Sequence, residues 1–243
     1  MNEVELVGVS HSYNGSPALD NISIGFRREK ITVVIGRSGM GKSTLLKSIN
    51  GLVRPHSGKI LVSSQPLDYT NIAPQRRMIG YVVQGNGLFP HLTVAENISL
   101  PSVIAGEKDH SKPVGRTSDL LYLTRLNETY ANKYPWELSG GEQQRVALCR
   151  ALFLNPPVML MDEPFGALDP MTRRSINNTI LEFQKIKPLT MIIVTHDMAE
   201  ARRLADDLLV LEMGRVVQFG SKENVIHSPA DPIVRGLLEA SIN

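Results

Sequence analysis

With 243 residues the chain can bury a full core, as one large domain or as two tightly joined lobes. Its 26 Lys and Arg against 24 Asp and Glu leave a net charge of +2, which gives no overall electrostatic footprint for an anionic membrane or for nucleic acid, and no nucleic-acid partner is expected. The apolar runs are far too short to span a bilayer, and MNEVELVGVS lacks the basic start and continuous apolar stretch of a signal peptide, so a cytoplasmic address is expected.

Residues 4–9 and 22–26 alternate in polarity or carry turn signals, as in an antiparallel sheet. Between them SHSYNGS places Tyr13 before an Asn-Gly turn, where it is either a half-exposed strand aromatic or a ring that stacks on a base. Residues 31–35 read as a buried strand feeding GRSGMGKST, residues 36–44, and then a helix over 41–50. In that loop Gly36, Gly39 and Gly41 permit positive φ and a close backbone approach to phosphate oxygens. Lys42 reaches the β and γ phosphates and Ser43 ligates Mg²⁺. The eight-residue P-loop pattern is complete and lies between a strand and a helix, the context it requires. Gln84, which ends IGYVVQ, is either a neutral amide touching Mg²⁺ or water, or a loop glutamine capping a neighbouring helix.

From 90 to 155 the strand signal vanishes, and TVAENISLPSVIAG, SDLLYLTRLNETY and GEQQRVALCRALFL are expected to be helices. GEKDHSKPVG, residues 106–115, is expected to be a surface loop between them. The last helix should start at Ser139, Gly140 and Gly141, with the serine as N-cap, and stop before Pro156 and Pro157. Cys149 inside it, the only cysteine, is expected to be an inert packed residue. A glycine-rich start to a helix offers backbone N–H groups to an anion, so LSGGEQQR, residues 138–145, is a second anion grip in a chain with one acidic site.

That acidic site is Asp162 and Glu163, which follow the apolar residues 158–161. Period two is expected to turn one acid toward a metal and the other toward an attacking water, with Glu163 as the base; the competing reading is an acidic pair favoured by a helix N-terminus. His196 follows MIIVT, residues 191–195, and is either a γ-phosphate sensor or, with Asp197, a helix cap. Residues 208–212 and 215–219 read as a hairpin. Buried strands alternating with amphipathic helices imply a mainly parallel sheet, an α/β fold.

These segments, in this order, resemble the ATP-binding cassette family over essentially the whole chain. GRSGMGKST is similar to its Walker A loop, in which Gly36, Arg37, Ser38, Gly39, Met40, Gly41, Lys42, Ser43 and Thr44 hold the nucleotide. Gln84 is similar to its Q-loop, LSGGEQQR to its signature, VMLMDEP to its Walker B, ALD at 167–169 to its D-loop, and His196 to its switch histidine; Tyr13 falls at its adenine-stacking aromatic. The resemblance implies a RecA-like P-loop NTPase core from residues 1–89 and 156–243, with an antiparallel β subdomain, and an inserted α-helical subdomain over 90–155, all in one domain. It implies ATP and Mg²⁺ as cofactors, with Ser43, Gln84 and Asp162 around the metal and Glu163, His196, Lys42 and Gln84 in hydrolysis. It further implies a head-to-tail homodimer, in which Ser139, Gly140, Gly141 and Glu142 of one subunit, with Asp169, close over the ATP in the other subunit's P-loop.

The same resemblance implies that transmembrane permease subunits dock near residues 84–97, where Leu88, Phe89 and Leu92 either meet them or pack the insert onto the core. A substrate-binding protein would take part indirectly. A subunit without fused membrane spans looks like an importer ATPase, held peripherally at the cytoplasmic face of the inner membrane. QGNGLFPHLTVAENI, LMDEPFGALDPMTRR and VVQFGSKENVIHSPADPIVRGLLE are similar to the osmoprotectant group, which takes up glycine betaine, choline or related quaternary amines. Met40, the run Gly85, Asn86, Gly87, and Trp136 depart from that group. Because the chain ends at Asn243, the paired C-terminal regulatory modules of some osmoprotectant ATPases, and ionic-strength sensing by them, are not expected. The alternatives are an ATPase for another transported class, phospholipid or another small solute, or a non-transport cassette ATPase such as one for iron–sulfur cluster assembly.

Overall fold

The protein opens with a hairpin, β1 (Asn2–Tyr13) and β2 (Ser16–Arg27), turned by Asn14 and Gly15 at φ 49° and 82°, the positive values that a two-residue Asn-Gly turn needs. This computed structural model describes residues 1–106, 111–166 and 168–239, with the side chains of 111–114 left aside. After the hairpin come β3 (Ile31–Ile35), α1 (Lys42–Ile49), β4 (Ser57–Val62), β5 (Gln65–Pro66), α2 (Ala73–Arg77) and β6 (Ile79–Val82). A helical stretch follows, α3 (Val94–Ala105), α4 (Ser111–Leu123), two 3-10 turns at Glu128–Asn132 and Pro135–Glu137, and α5 (Gly140–Leu152). The chain then returns to alternation with β7 (Val158–Asp162), α6 (Pro170–Ile186), β8 (Thr190–Val194), α7 (Met198–Leu204), β9 (Asp207–Glu212), β10 (Arg215–Ser221), α8 (Lys222–His227) and α9 (Pro232–Glu239).

Two sheets result. The smaller is antiparallel, in the order β2-β1-β4-β5, and the larger runs β10-β9-β3-β8-β7-β6 with every pairing parallel except that of β10 on β9. Strands β3, β7 and β8 are buried at every position, as parallel strands covered on both faces must be. Their pleat divides the core in two. Val33, Met159, Met161, Met191 and Ile193 face the helices, whereas Val34, Leu160, Ile192 and Val194 pack with Phe26, Leu6 and Leu45 under the antiparallel sheet. The C-terminal ends of β3, β6, β7 and β8 lie along one sheet edge, so the P-loop, Gln84, the acid pair and His196 all emerge there.

The helical stretch departs from the sequence expectation in two places. Of the expected 106–115 surface loop, residues 111–115 are already helix, since proline is tolerated in a first turn and Pro113 does not delay α4; residues 107–110 lie outside the described residues. The single helix expected over SDLLYLTRLNETY ends at Leu123, because Arg125 takes φ 59° and Asn127 starts a 3-10 turn by accepting from Thr129 N–H at 2.9 Å. The strands β4 and β5 of the smaller sheet had no clear sequence signal, being short and partly exposed. Ala167, the first residue of the expected D-loop, also lies outside the described residues.

Candidate nucleotide site

The P-loop wraps because its glycines allow it. Gly36, Gly39 and Gly41 have φ of 156°, 79° and 95°. At Gly41 a Cβ would stand 2.1 Å from the Ala18 carbonyl oxygen, so no other residue fits the entry to α1. The Lys42 side chain is buried and its Nζ donates to the Gly36 and Arg37 carbonyls, both at 2.7 Å, which holds the ammonium inside the loop. Burial lowers its pKa, against the opposing pull of Glu163, Asp162 and Glu212. Arg37, Ser38 and Gly39 are exposed at the loop's tip, and Ser43 and Thr44 are half-buried in the first turn of α1. Met40 has a local reason to be there: its sulfur and carbonyl accept from Met213 and Gly214 N–H, 3.2 Å each, fastening the loop to the β9–β10 turn.

Asp162 ends β7 almost fully buried and accepts from the Ser43 hydroxyl at 2.9 Å. Desolvation raises its carboxyl pKa and nearby Glu163 adds to this, while the Ser43 bond, Lys47 and Lys42 work the other way. Two hard oxygens beside the phosphate loop form a donor set that suits Mg²⁺. The period-two expectation is that strand alternation separates Glu163 from Asp162, but β7 ends at Asp162 and Glu163 lies beyond it. It leaves the strand at φ 46°, a left-handed conformation uncommon for a non-glycine residue, while its N–H still bonds the Val194 carbonyl at 3.0 Å. That turn of the backbone sends its carboxylate along the sheet edge.

Gln84 and His196 come from different strand ends to the same atom. Gln84 Nε2 lies 3.5 Å and His196 Nδ1 3.6 Å from Glu163 Oε2, both side chains open to solvent. The cap at the start of α7 belongs to Asp197 alone, which accepts from Ala199 and Glu200 N–H, so His196 is free to face Glu163.

Ser139 caps α5 in a full capping box with Glu142: its hydroxyl and N–H both donate to Glu142 Oε2, at 2.8 and 2.7 Å. Burial favours the neutral form of Glu142, but bonds from Ser139 and Tyr130, with Lys133 nearby, prevail and lower its pKa. Gly140 is exposed; a Cβ on Gly141 would stand 2.2 Å from Thr172 Cγ2, which packs the signature against the start of α6. There Asp169 is the N-cap, accepting from Met171 and Thr172 N–H at 3.0 Å each. Among the described residues, no hydrogen bond or ion pair joins Ser139, Gly140, Gly141, Glu142 or Asp169 to the P-loop of the same chain. Tyr13, 48% exposed at the end of β1, makes a T-shaped ring contact with His11, with centroids 4.7 Å apart.

Three residues that sequence reasoning passed over tie these parts together. Arg150 on α5 donates to the carbonyls of Gly87 and Asn86 at 2.7 and 2.9 Å, binding the turn after Gln84 to the signature helix. Arg173 on α6 bonds Asp197 at 2.8 Å and the Leu168 carbonyl at 3.3 Å, and pairs with buried Glu200 at 3.4 Å. Asn97, wholly buried, donates to the carbonyls of Phe89, Leu92 and Thr93 and accepts from Phe89 N–H, fixing the 89–93 loop. Beside that loop a groove of about 570 Å³ is lined by Tyr81, Phe89, Leu100, Ile104, Arg76, Arg77 and Arg150. Leu88 instead packs against the helical-side core, so of the three apolar residues at this loop Phe89 faces the groove.

A family model described as ABC transporter matches residues 19–166. The chain is 42% identical over 231 residues to the choline transport ATP-binding protein OpuBA of Bacillus subtilis (strain 168), covering 94% of this chain and 60% of that protein. It is 40% identical over 230 residues to the sulfate/thiosulfate import ATP-binding protein CysA of Nephroselmis olivacea, covering 95% of this chain and 66% of that protein. The chain thus spans about three fifths of the length of the curated relatives it matches. Among solved structures, the dimeric post-hydrolysis state of the ATP-binding cassette MJ0796, bound to ADP and Pi, gives a TM-score of 0.81 at 33% identity over 90% of this chain and 98% of that one.

Proposed function

Because the chain belongs to the ATP-binding cassette (ABC) transporter family, we propose that it hydrolyses ATP as a subunit that pairs head to tail with a second copy and drives a membrane importer, for osmoprotectants of the glycine betaine and choline type. The observation that carries the catalytic part is convergence: Gln84 and His196, from separate strand ends, both meet Glu163 Oε2 beside the Ser43–Asp162 pair and the buried Lys42.

In this reading the P-loop N–H groups and Lys42 cradle the β and γ phosphates, Lys42 exchanging its carbonyl partners for phosphate oxygens, and Tyr13 stacks on the adenine. Ser43, Asp162 and the Gln84 amide oxygen would hold Mg²⁺, which when bound neutralises phosphate charge. Phosphoryl transfer passes through a loose transition state, so the protein's work is to place the water and the charges. Glu163 orients the attacking water and receives its proton on Oε1, while Gln84 and His196 fix the carboxylate through Oε2. The phosphate grip at Ser139, Gly140, Gly141 and Glu142, with Asp169, serves the nucleotide of the second copy, in keeping with the lack, among the described residues, of any hydrogen bond or ion pair from it to the P-loop of its own chain. Hydrolysis then removes the bridge between copies and shifts the population toward the open pair. Residues 90–155 act as a helical subdomain that carries the signature, and the groove beside Phe89 receives a permease subunit at the cytoplasmic face of the membrane, with a substrate-binding protein acting through that permease.

Glu163→Gln tests the scheme. Loss of the base should lower kcat by about 10²- to 10⁴-fold and leave ATP bound, so that gel filtration with saturating ATP finds a dimer. A variant that stays monomeric at micromolar protein would refute head-to-tail pairing. A second reading of the cargo, sulfate, is favoured by the 40% identity to CysA. Co-purification with the native membrane partner, followed by ATPase stimulation with glycine betaine, choline and sulfate, separates the two: stimulation by sulfate alone would exclude the quaternary amines.

A further inference from the structure

Trp136, just before the signature, is 65% exposed to solvent. Its ring lies parallel to that of Tyr134, with centroids 4.5 Å apart and 5° between the planes. A large aromatic left in solvent contributes little to the chain's own core, yet this pair is held firmly. Pro135, which joins the two residues in the chain, is buried, Tyr134 N–H donates to Glu137 Oε2 at 2.7 Å, and Gln143 of α5 donates to the Pro135 and Leu138 carbonyls at 2.9 and 3.2 Å. The pair therefore moves as one body with the N-terminus of α5. Ser139 lies three positions after Trp136, a reach of at most about 10 Å. A flat π surface and a phosphate grip, rigidly joined across that distance, match the two ends of a nucleotide.

We infer that the Tyr134–Trp136 stack is a second base-binding platform, which receives the adenine of the ATP seated in the P-loop of a second copy. This rests on the head-to-tail reading above. The base is then held between Tyr13 of the copy that binds the phosphates and Trp136 of the copy that closes over it. Stacking uses only the π face, so the platform adds affinity with little choice among bases.

Trp136 is the only tryptophan, so its emission reports on this surface alone. The full chain carrying Glu163→Gln is titrated with ATP while dimer fraction and tryptophan emission are followed together. Emission should change in step with dimer formation. Adding Trp136→Ala should raise the ATP concentration for half-maximal dimerisation about tenfold, the scale of one lost base–aromatic stack, whereas Trp136→Phe should keep most of the affinity. With ribose 5-triphosphate, which has sugar and phosphates but no base, Trp136→Ala should make no difference. A dimer that forms with unchanged emission overturns the platform while leaving head-to-tail pairing intact. An equal loss with ATP and with ribose triphosphate also overturns it, because Trp136 would then contact the partner's polypeptide. Failure of the Glu163→Gln chain to dimerise at all refutes the pairing itself, and the platform with it.

Discussion

Burial works against the charge on both Lys42 and Asp162, lowering the pKa of the first and raising that of the second. For Asp162 the consequence for stability has a definite sign. Below the unfolded-state carboxyl pKa both states carry the proton and folding is not penalised; as pH rises through the higher folded-state value, the folded protein comes to hold a desolvated carboxylate and that stability is lost. Asp162→Asn can still accept from Ser43 and has no charge to bury. Without nucleotide or metal it should melt higher than the parent at pH 8, where each kcal/mol corresponds to about 2–4 °C in a domain of this size. The gap should close toward pH 4, and ATPase activity should be lost. Melting curves with the same gap at both pH values would mean that Asp162 is not the source. At Cys149 the same burial pushes the thiol up to about 12, in accord with the inert residue expected from sequence. Asp162 and Glu163 were nameable from sequence because they close an apolar run, whereas for His196 the strand left sensor and helix cap both open and the family resemblance alone favoured the sensor. Arg173 was not nameable, since its partners Asp197 and Glu200 lie on another element and nothing local marks an arginine that will meet them.

At the scale of elements, legibility followed periodicity and caps. Strands β3, β7 and β8 are continuous apolar runs, and α5 begins where Ser139 and Glu142 form a capping box, so both were readable. The ends of α4 were not, because its stop depends on Arg125 adopting a left-handed conformation and its start tolerates Pro113. The turn at Glu163, too, is a backbone choice that the pleat of β7 does not announce. The cap at Ser139 has two duties, structural and, in the proposed dimer, as phosphate ligand, and one substitution separates them. Ser139→Ala should cost about 1 kcal/mol of stability, the usual loss for an N-cap, and lower the melting temperature only slightly. Its hydrolysis rate should fall far more than that loss explains, while equilibrium ATP binding to the isolated monomer stays at the parent value. Collapse of monomer affinity would place the grip on the chain's own nucleotide.

Across the whole molecule, the catalytic edge and the groove are mechanically joined. The turn after Gln84 is held by Arg150 of the signature helix, and Asn97 fixes the loop that carries Phe89 to the groove wall. A partner helix pressed into that groove would touch Tyr81, Phe89, Leu100 and Ile104, and any shift of the 89–93 loop would reach the turn after Gln84 and, through Arg150, the last turn of α5. No helix among the described residues is long and apolar enough to cross a membrane. Ile104, 71% exposed at the end of α3, belongs to this wall and to no part of the nucleotide site. Ile104→Lys should therefore leave the melting temperature and the basal ATPase rate near parent values, because it empties no core space. In the assembled transporter it should lower solute-stimulated ATPase at least about tenfold, as a cation buried against an apolar partner, in a groove whose own charges are Arg76, Arg77 and Arg150, costs more than the 1.4 kcal/mol which that factor represents. Stimulation at the parent level, measured with permease stoichiometrically bound, would move the coupling surface away from this groove.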